Sequence, residues 1–166
     1  MHLRAPHAVL QRNAWRLLAA AALAVALDVG AQTAIVDLNS VWMRPALAGQ
    51  ARARAYVDIK SDLALTLTEA STPVAHAIEF VIVSGSNGVE EAVVATVPVA
   101  PGTPTRLAFR GNHLRLVDIN RDLLNGEQFP LTLRFTDAEG RAVSATATVV
   151  VRGFMVPAAE SAPRRP

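Results

Sequence analysis

The stretch that decides the fold runs from Leu131 to Val151. Leu131-Thr132-Leu133-Arg134-Phe135-Thr136 is followed, across Glu139-Gly140, by Val143-Ser144-Ala145-Thr146-Ala147-Thr148-Val149-Val150-Val151. Apolar and polar residues alternate with a period of two on both sides of the glycine, which is the signature of half-buried strands and not of a helix. The second run is rich in small and β-branched residues, which suit a pleated surface. Working outward, Leu63, Leu65 and Leu67 alternate with Ala64, Thr66 and Thr68 in the same way. Between such runs stand turn signals: Gly49, Ser84-Gly85-Ser86-Asn87-Gly88, Pro101-Gly102, Gly111-Asn112 and Asn125-Gly126. Short strands punctuated this often predict an all-β Greek-key sandwich or barrel of about eight or nine strands. No segment has the length and period of a crossover helix, so a parallel sheet is not expected. The one helical candidate is a short turn over Ile119 to Leu124.

The two ends of the chain read differently. Arg4, Arg12 and Arg16 precede an apolar run from Leu17 to Leu27, and Val29-Gly30-Ala31 follows. A basic segment, a short apolar segment and small residues in that order predict a secretory signal peptide over residues 1–31. The run is shorter than a bilayer-spanning helix requires, so no membrane insertion is expected after cleavage. A β domain over 32–152 and a disordered, Pro/Ala-rich tail over 153–166 complete the expected organisation. Of 16 basic and 14 acidic residues, three and one fall in the leader, which leaves the remainder formally neutral. With no basic stripe and no interleaved aromatics, a nucleic-acid partner is not expected. The chain has no cysteine, which excludes disulfide staples and thiolate metal sites in an oxidising compartment.

Chemistry has little to work with. His76 and His113 are the imidazoles outside the leader, and neither accompanies a G-x-S-x-G elbow or an H-E-x-x-H motif. Ser84-Gly85-Ser86-Asn87-Gly88 lacks the Lys-Ser/Thr of a phosphate loop and reads as a hairpin turn. Glu90 and Glu91 are neighbours, so on a strand they point to opposite faces and form no carboxylate pair. Asp58 and Glu79 have no partner visible in the sequence. An enzyme is not expected. Trp42 and Tyr56 read as core aromatics, and Met43 as a packing residue.

The order of motifs resembles one known family. Val41-Trp42-Met43-Arg44, Arg54-Ala55-Tyr56-Val57, Thr72-Pro73-Val74-Ala75 with Ile78-Glu79-Phe80, Asn87-Gly88-Val89, Asn112-His113-Leu114, and Leu124-Asn125-Gly126-Glu127 with Phe129-Pro130-Leu131-Thr132-Leu133 look like the PCu(A)C family over roughly residues 34–152. The resemblance implies a periplasmic, cupredoxin-like barrel that binds Cu(I). It further implies a role in supplying copper to the CuA subunit of cytochrome oxidase or to its assembly factors. The family holds copper with a His and a Met flanking a hairpin and with a His-x-Met pair on a later strand; thioethers are soft donors that select Cu(I).

Matching the motifs without gaps puts Val81 at the first His, Ala92 at the hairpin Met and Arg115 at the Met of His-x-Met. His113 is the ligand position retained, and hence the candidate metal residue. His76, on or before the strand of Glu79, is a second imidazole that could join it. Arg115 falls two residues along from His113, about 7 Å away on the same strand face, where a cation disfavours Cu⁺. Met43 and Met155 are the methionines outside the leader, and Gln32-Thr33-Ala34 has no third-position His for an amino-terminal copper site. Two functions follow: a periplasmic copper-chaperone-like protein with weakened or lost Cu(I) binding, or a metal-free protein-binding or assembly module on the same fold.

Overall fold

A computed structural model describes residues 34–85 and 90–153. The leader expected over 1–31, the tip of the Ser84–Gly88 turn and the tail from Phe154 lie outside the described residues. Ten strands follow one another: β1 (Val36–Met43), β2 (Arg52–Ser61), β3 (Leu65–Ser71), β4 (Ala75–Ser84), β5 (Glu90–Val94), β6 (Val97–Val99), β7 (Thr105–Leu107), β8 (His113–Ile119), β9 (Gln128–Asp137) and β10 (Ala142–Val151). They form one sheet in the order β5-β4-β8-β2-β1-β10-β9-β3-β6, with β7 also pairing with β2. No helix occurs among the described residues.

The β9–β10 hairpin bears out the opening pattern. Phe129, Leu131, Leu133 and Phe135 lie opposite Val149, Ala147, Ala145 and Val143. All four large residues of β9 are buried. Large side chains of one strand thus face small ones of the next, and alternate residues such as Arg134, Ser144 and Thr146 face outward. The hairpin turn needs Gly140, whose φ of 80° is costly for any residue with a Cβ. Asp137 completes it by accepting hydrogen bonds from the Glu139 and Arg141 amides.

The sheet curls on itself around one core to which β1, β2, β3, β8, β9 and β10 all contribute; Met43, Ile59, Leu67, Leu114, Leu133 and Phe135 are fully buried there. Closure depends on β1, which pairs antiparallel with β2 and parallel with β10 through Trp42–Val150 and Met43–Val151. That short parallel seam departs from the expectation of purely antiparallel pairing. A β-bulge between Asn39 and Trp42, with Ser40 at φ 51°, turns the end of β1 toward β10.

The expected helical turn at Ile119–Leu124 is corrected. Its backbone donors go to distant partners: Asn120 N donates to Val74 O and Leu123 N to Ala46 O. Leu123 forms an isolated bridge with Ala46, and its buried side chain fastens the loop after β1 to the loop after β8.

Candidate functional site

Residues directly opposite on paired antiparallel strands share a sheet face. On β4 and β8, Val81 faces His113 and Glu79 faces Arg115. On β4 and β5, Val81 faces Val93 and Val83 faces Glu91. On β2 and β8, Arg54 faces Arg115. Glu79, Val81, Glu91, Val93, His113, Arg115 and Arg54 therefore share one face of the β5-β4-β8-β2 sheet, the face turned away from the main core. Ala92 lies opposite Ile82 instead, so it belongs to the other face. Val93, and not Ala92, is therefore the β5 residue on the face of His113.

His113 is buried at 2% exposure. Its Nδ1 lies 2.9 Å from the Gly111 carbonyl. A carbonyl only accepts, so Nδ1 carries a proton, and in the neutral ring Nε2 holds the free lone pair. Among the described residues, that Nε2 is buried without a hydrogen-bond partner. An imidazole with one nitrogen donating to a backbone carbonyl and the other bare has the posture of a metal ligand. What it faces does not complete a site. Val81 is fully buried and Val93 is half-exposed, and neither has a donor atom. Among the described residues, no three His, Cys, Asp or Glu side chains converge as a metal would require. His76 is exposed on β4, five residues from Val81 and so roughly 16 Å along the strand. The structure does not bring it to His113.

Arg115 is not the uncompensated cation that its position in the sequence implies. Its Nε donates to Glu79 Oε2 at 2.7 Å, its Nη2 lies 2.7 Å from the same oxygen, and its Nη1 lies 3.7 Å from Glu91 Oε2. Glu91 Oε1 in turn accepts from Arg54 Nη2 at 2.6 Å. Two arginines and two glutamates thus form a neutral chain across β2, β8, β4 and β5. Glu79, which had no visible partner in the sequence, is one of its members. Cross-strand Arg54 and Arg115 would repel each other, and Glu91 between them removes that cost. The guanidinium opposes a cation there by occupying the space two residues from His113, more than by net charge.

A second cluster lies further along the same face. Trp42 faces Tyr56 across β1 and β2, their ring centroids 4.5 Å apart, and Phe109 meets Tyr56 edge-on at 6.0 Å. Their strand neighbours Met43 and Ala55 point into the core, so Trp42 and Tyr56 form an outward aromatic stack and not the core pair expected. Tyr56 is 2% exposed. Burial pushes its phenol above the ordinary value, against the pull of the Arg54 and Arg44 cations. Arg110 sits 5.6 Å over the Phe109 ring.

The profile of the LpqE-like family, described as "Putative lipoprotein LpqE-like", matches residues 36–149. The chain belongs to the LpqE-like family. Among solved structures, this LpqE-like chain is similar to the copper-bound PCuAC domain from PmoF2, at 22% identity over 71% of this chain and 93% of that one, with a TM-score of 0.55. It is similar also to the apo PCuAC domain from PmoF1, at 21% identity over 70% and 93%, with a TM-score of 0.52. These likenesses are of fold, and they bear out the cupredoxin-like Greek-key barrel and the PCu(A)C resemblance. No curated protein matches. Measured against the four-donor Cu(I) set that the PCu(A)C resemblance implies, His113 offers one imidazole nitrogen, and the side chains of Val81, Val93 and Arg115 supply no donor that fits the ion.

Proposed function

We propose that this chain is an extracytoplasmic PCu(A)C-type protein that has given up high-affinity Cu(I) binding and works as a protein-binding or assembly module. The leader over 1–31 delivers it to the envelope, the β domain over 32–152 does the work, and 153–166 is a tail. The observation that carries this reading is the company of His113. Val81 faces it across the sheet with Val93 next in line beyond Val81, and the position two residues along holds an arginine fixed by Glu79 and Glu91. A lone imidazole supplies neither the donor number nor the soft sulfur that retains Cu(I). Among the described residues no acid–base pair or activated nucleophile accompanies His113, and the reading is non-enzymatic.

The bare, buried Nε2 of His113 favours a second reading, in which a partner such as a CuA-bearing oxidase subunit or its assembly factor supplies the remaining donors. A competition titration of Cu(I) against a chromophoric chelator, with the native chain and with His113→Ala, separates the two. The expected result is that neither protein takes copper from the chelator. Submicromolar affinity in the native chain, abolished by His113→Ala, would overturn the metal-free reading.

A further inference from the structure

His113 and Val81 lie on the outward face of the sheet, yet they are 2% and 0% exposed, and Val81 is no part of the main core cluster. Something other than the core covers them. The strand registers place Glu79, Arg115 and Arg54 in one row across β4, β8 and β2. Val93, Val81 and His113 stand in the next row, two residues along, and Glu91 stands one row further, opposite Val83. Glu91 nevertheless meets Arg54 at 2.6 Å and Arg115 at 3.7 Å. An ion pair that joins the third row to the first has to cross the second. With about 4.8 Å between strands and about 6.7 Å between same-face residues, the line from Glu91 to Arg115 passes over Val81, and the line from Glu91 to Arg54 passes between Val81 and His113.

The members of this crossing are held with unequal firmness. Arg115 is buried at 9% exposure and is fixed by Glu79 as well. The Arg54 and Glu91 side chains keep 50% and 31% of their surface exposed. Ion pairs between long, partly exposed side chains contribute little net stability and part readily. Glu91 also stands on β5, an edge strand paired with β4 alone, whose residues Glu90 to Val93 are exposed. A strand held from one side, with so little buried, belongs to the part of a fold that opens locally at low cost. Beneath the crossing, His113 Nε2 has no hydrogen-bond partner among the described residues. A buried acceptor without a donor costs stability, so opening relieves a penalty that the closed arrangement carries.

We infer that Glu91, pinned by Arg54 and Arg115, is a strap that shuts the His113 lone pair from solvent and from any incoming group, and that it opens by release of Glu91 on the edge strand β5. The strap goes beyond both readings of the function. In the metal-free reading it seals a disused ligand position; in the other, a partner's donors reach His113 only after Glu91 has moved.

The test reads access to the imidazole and uses no copper. Diethylpyrocarbonate acylates an unprotonated imidazole nitrogen that it can reach. The full chain is treated at neutral pH, quenched at intervals and digested, and mass spectrometry of the peptides gives separate rates for His113 and for His76, which is exposed on β4. In the native chain His113 should react at least about tenfold more slowly than His76. Glu91→Ala should raise the His113 rate by about fivefold or more and leave the His76 rate unchanged. Arg54→Gln, which removes one anchor at an exposed position, should give a smaller rise in the same direction. Added salt should raise the His113 rate of the native chain, because it screens partly exposed ion pairs. Circular dichroism checks that the barrel persists; should Glu91→Ala unfold it, Arg54→Gln and the salt series decide. A native His113 rate equal to that of His76 overturns the inference, as does a His113 rate that Glu91→Ala leaves unchanged in a folded barrel. So does a rate that neither Arg54→Gln nor salt moves. Failure here leaves both readings of the function to the Cu(I) titration, and copper uptake there leaves the strap to its own result.

Discussion

Tyr56 shows how much one position in this sheet is asked to do. Its neighbours Ala55 and Val57 point into the core, so its own ring lies on the outward face, yet Trp42 and Phe109 cover it until almost nothing is exposed. A buried phenol resists ionisation, and the nearby Arg54 and Arg44 cations only partly offset that cost. The linkage follows in sign. A phenol whose value is raised in the folded state contributes stability that is fully present below its unfolded value, about 10, and is lost as pH rises through the folded one. Because Tyr56 is the only tyrosine, the tyrosinate absorbance band reports it alone. The native chain should titrate above a denatured reference, and alkaline unfolding should begin as it does. Tyr56→Phe should be less sensitive to alkali. A native titration coinciding with the denatured one would show that the ring is not shielded as described.

At the scale of elements, the β9–β10 hairpin carries its own instructions. Asp137 accepts from the Glu139 and Arg141 amides and pairs with the Arg141 guanidinium at 2.6 Å. Desolvation alone would raise its carboxyl, but these bonds from Arg141 and Glu139 hold it below the ordinary carboxylate range. Stability from a depressed carboxylate is present above its unfolded value near about 4 and is lost as pH falls through the folded one. Asp137→Asn should therefore melt below the native chain at neutral pH, with the gap closing in acid. Melting temperatures across a pH series check this, and a constant gap would contradict it. The hairpin was legible because the alternation and the Glu139-Gly140 turn signal lie within one short stretch, whereas the part played by Asp137 emerged only from the structure. The face around His113 was legible only in part. Its members come from β2, β4, β5 and β8, and a strand slipped by one residue puts every side chain on the opposite face. That is why the sequence did not show that Val93 and not Ala92 shares the face of His113, and why the ion pairs of Arg115 could not be seen. The pairing of Trp42 with Val150 was still less legible, since nothing local announces that the first and last strands of the barrel lie side by side.

For the molecule as a whole, that joining of first and last strands is the decisive event. β1 must find both β2, its neighbour in sequence, and β10, at the far end of the domain, before the core around Met43 is sealed. Loop closure over so long a span costs entropy before any contact repays it, so barrels of this kind fold in milliseconds to seconds, well behind helical bundles. The β9–β10 hairpin, with local pairing and four large residues already opposite small ones, is the natural place to begin, and the parallel seam the natural place to finish. Met43 tests that order: it is fully buried, and its strand pairs with both β2 and β10 at that position. Met43→Ala should cost about 2–5 kcal/mol. If the seam forms after the folding barrier, nearly all of that loss should appear as faster unfolding, with the folding rate little changed. Stopped-flow fluorescence of Trp42, in the Trp15→Phe background, measures both rates at the seam itself. A folding rate that falls in proportion to the lost stability would place the seam in the nucleus, and would mean that the two ends of this domain meet first.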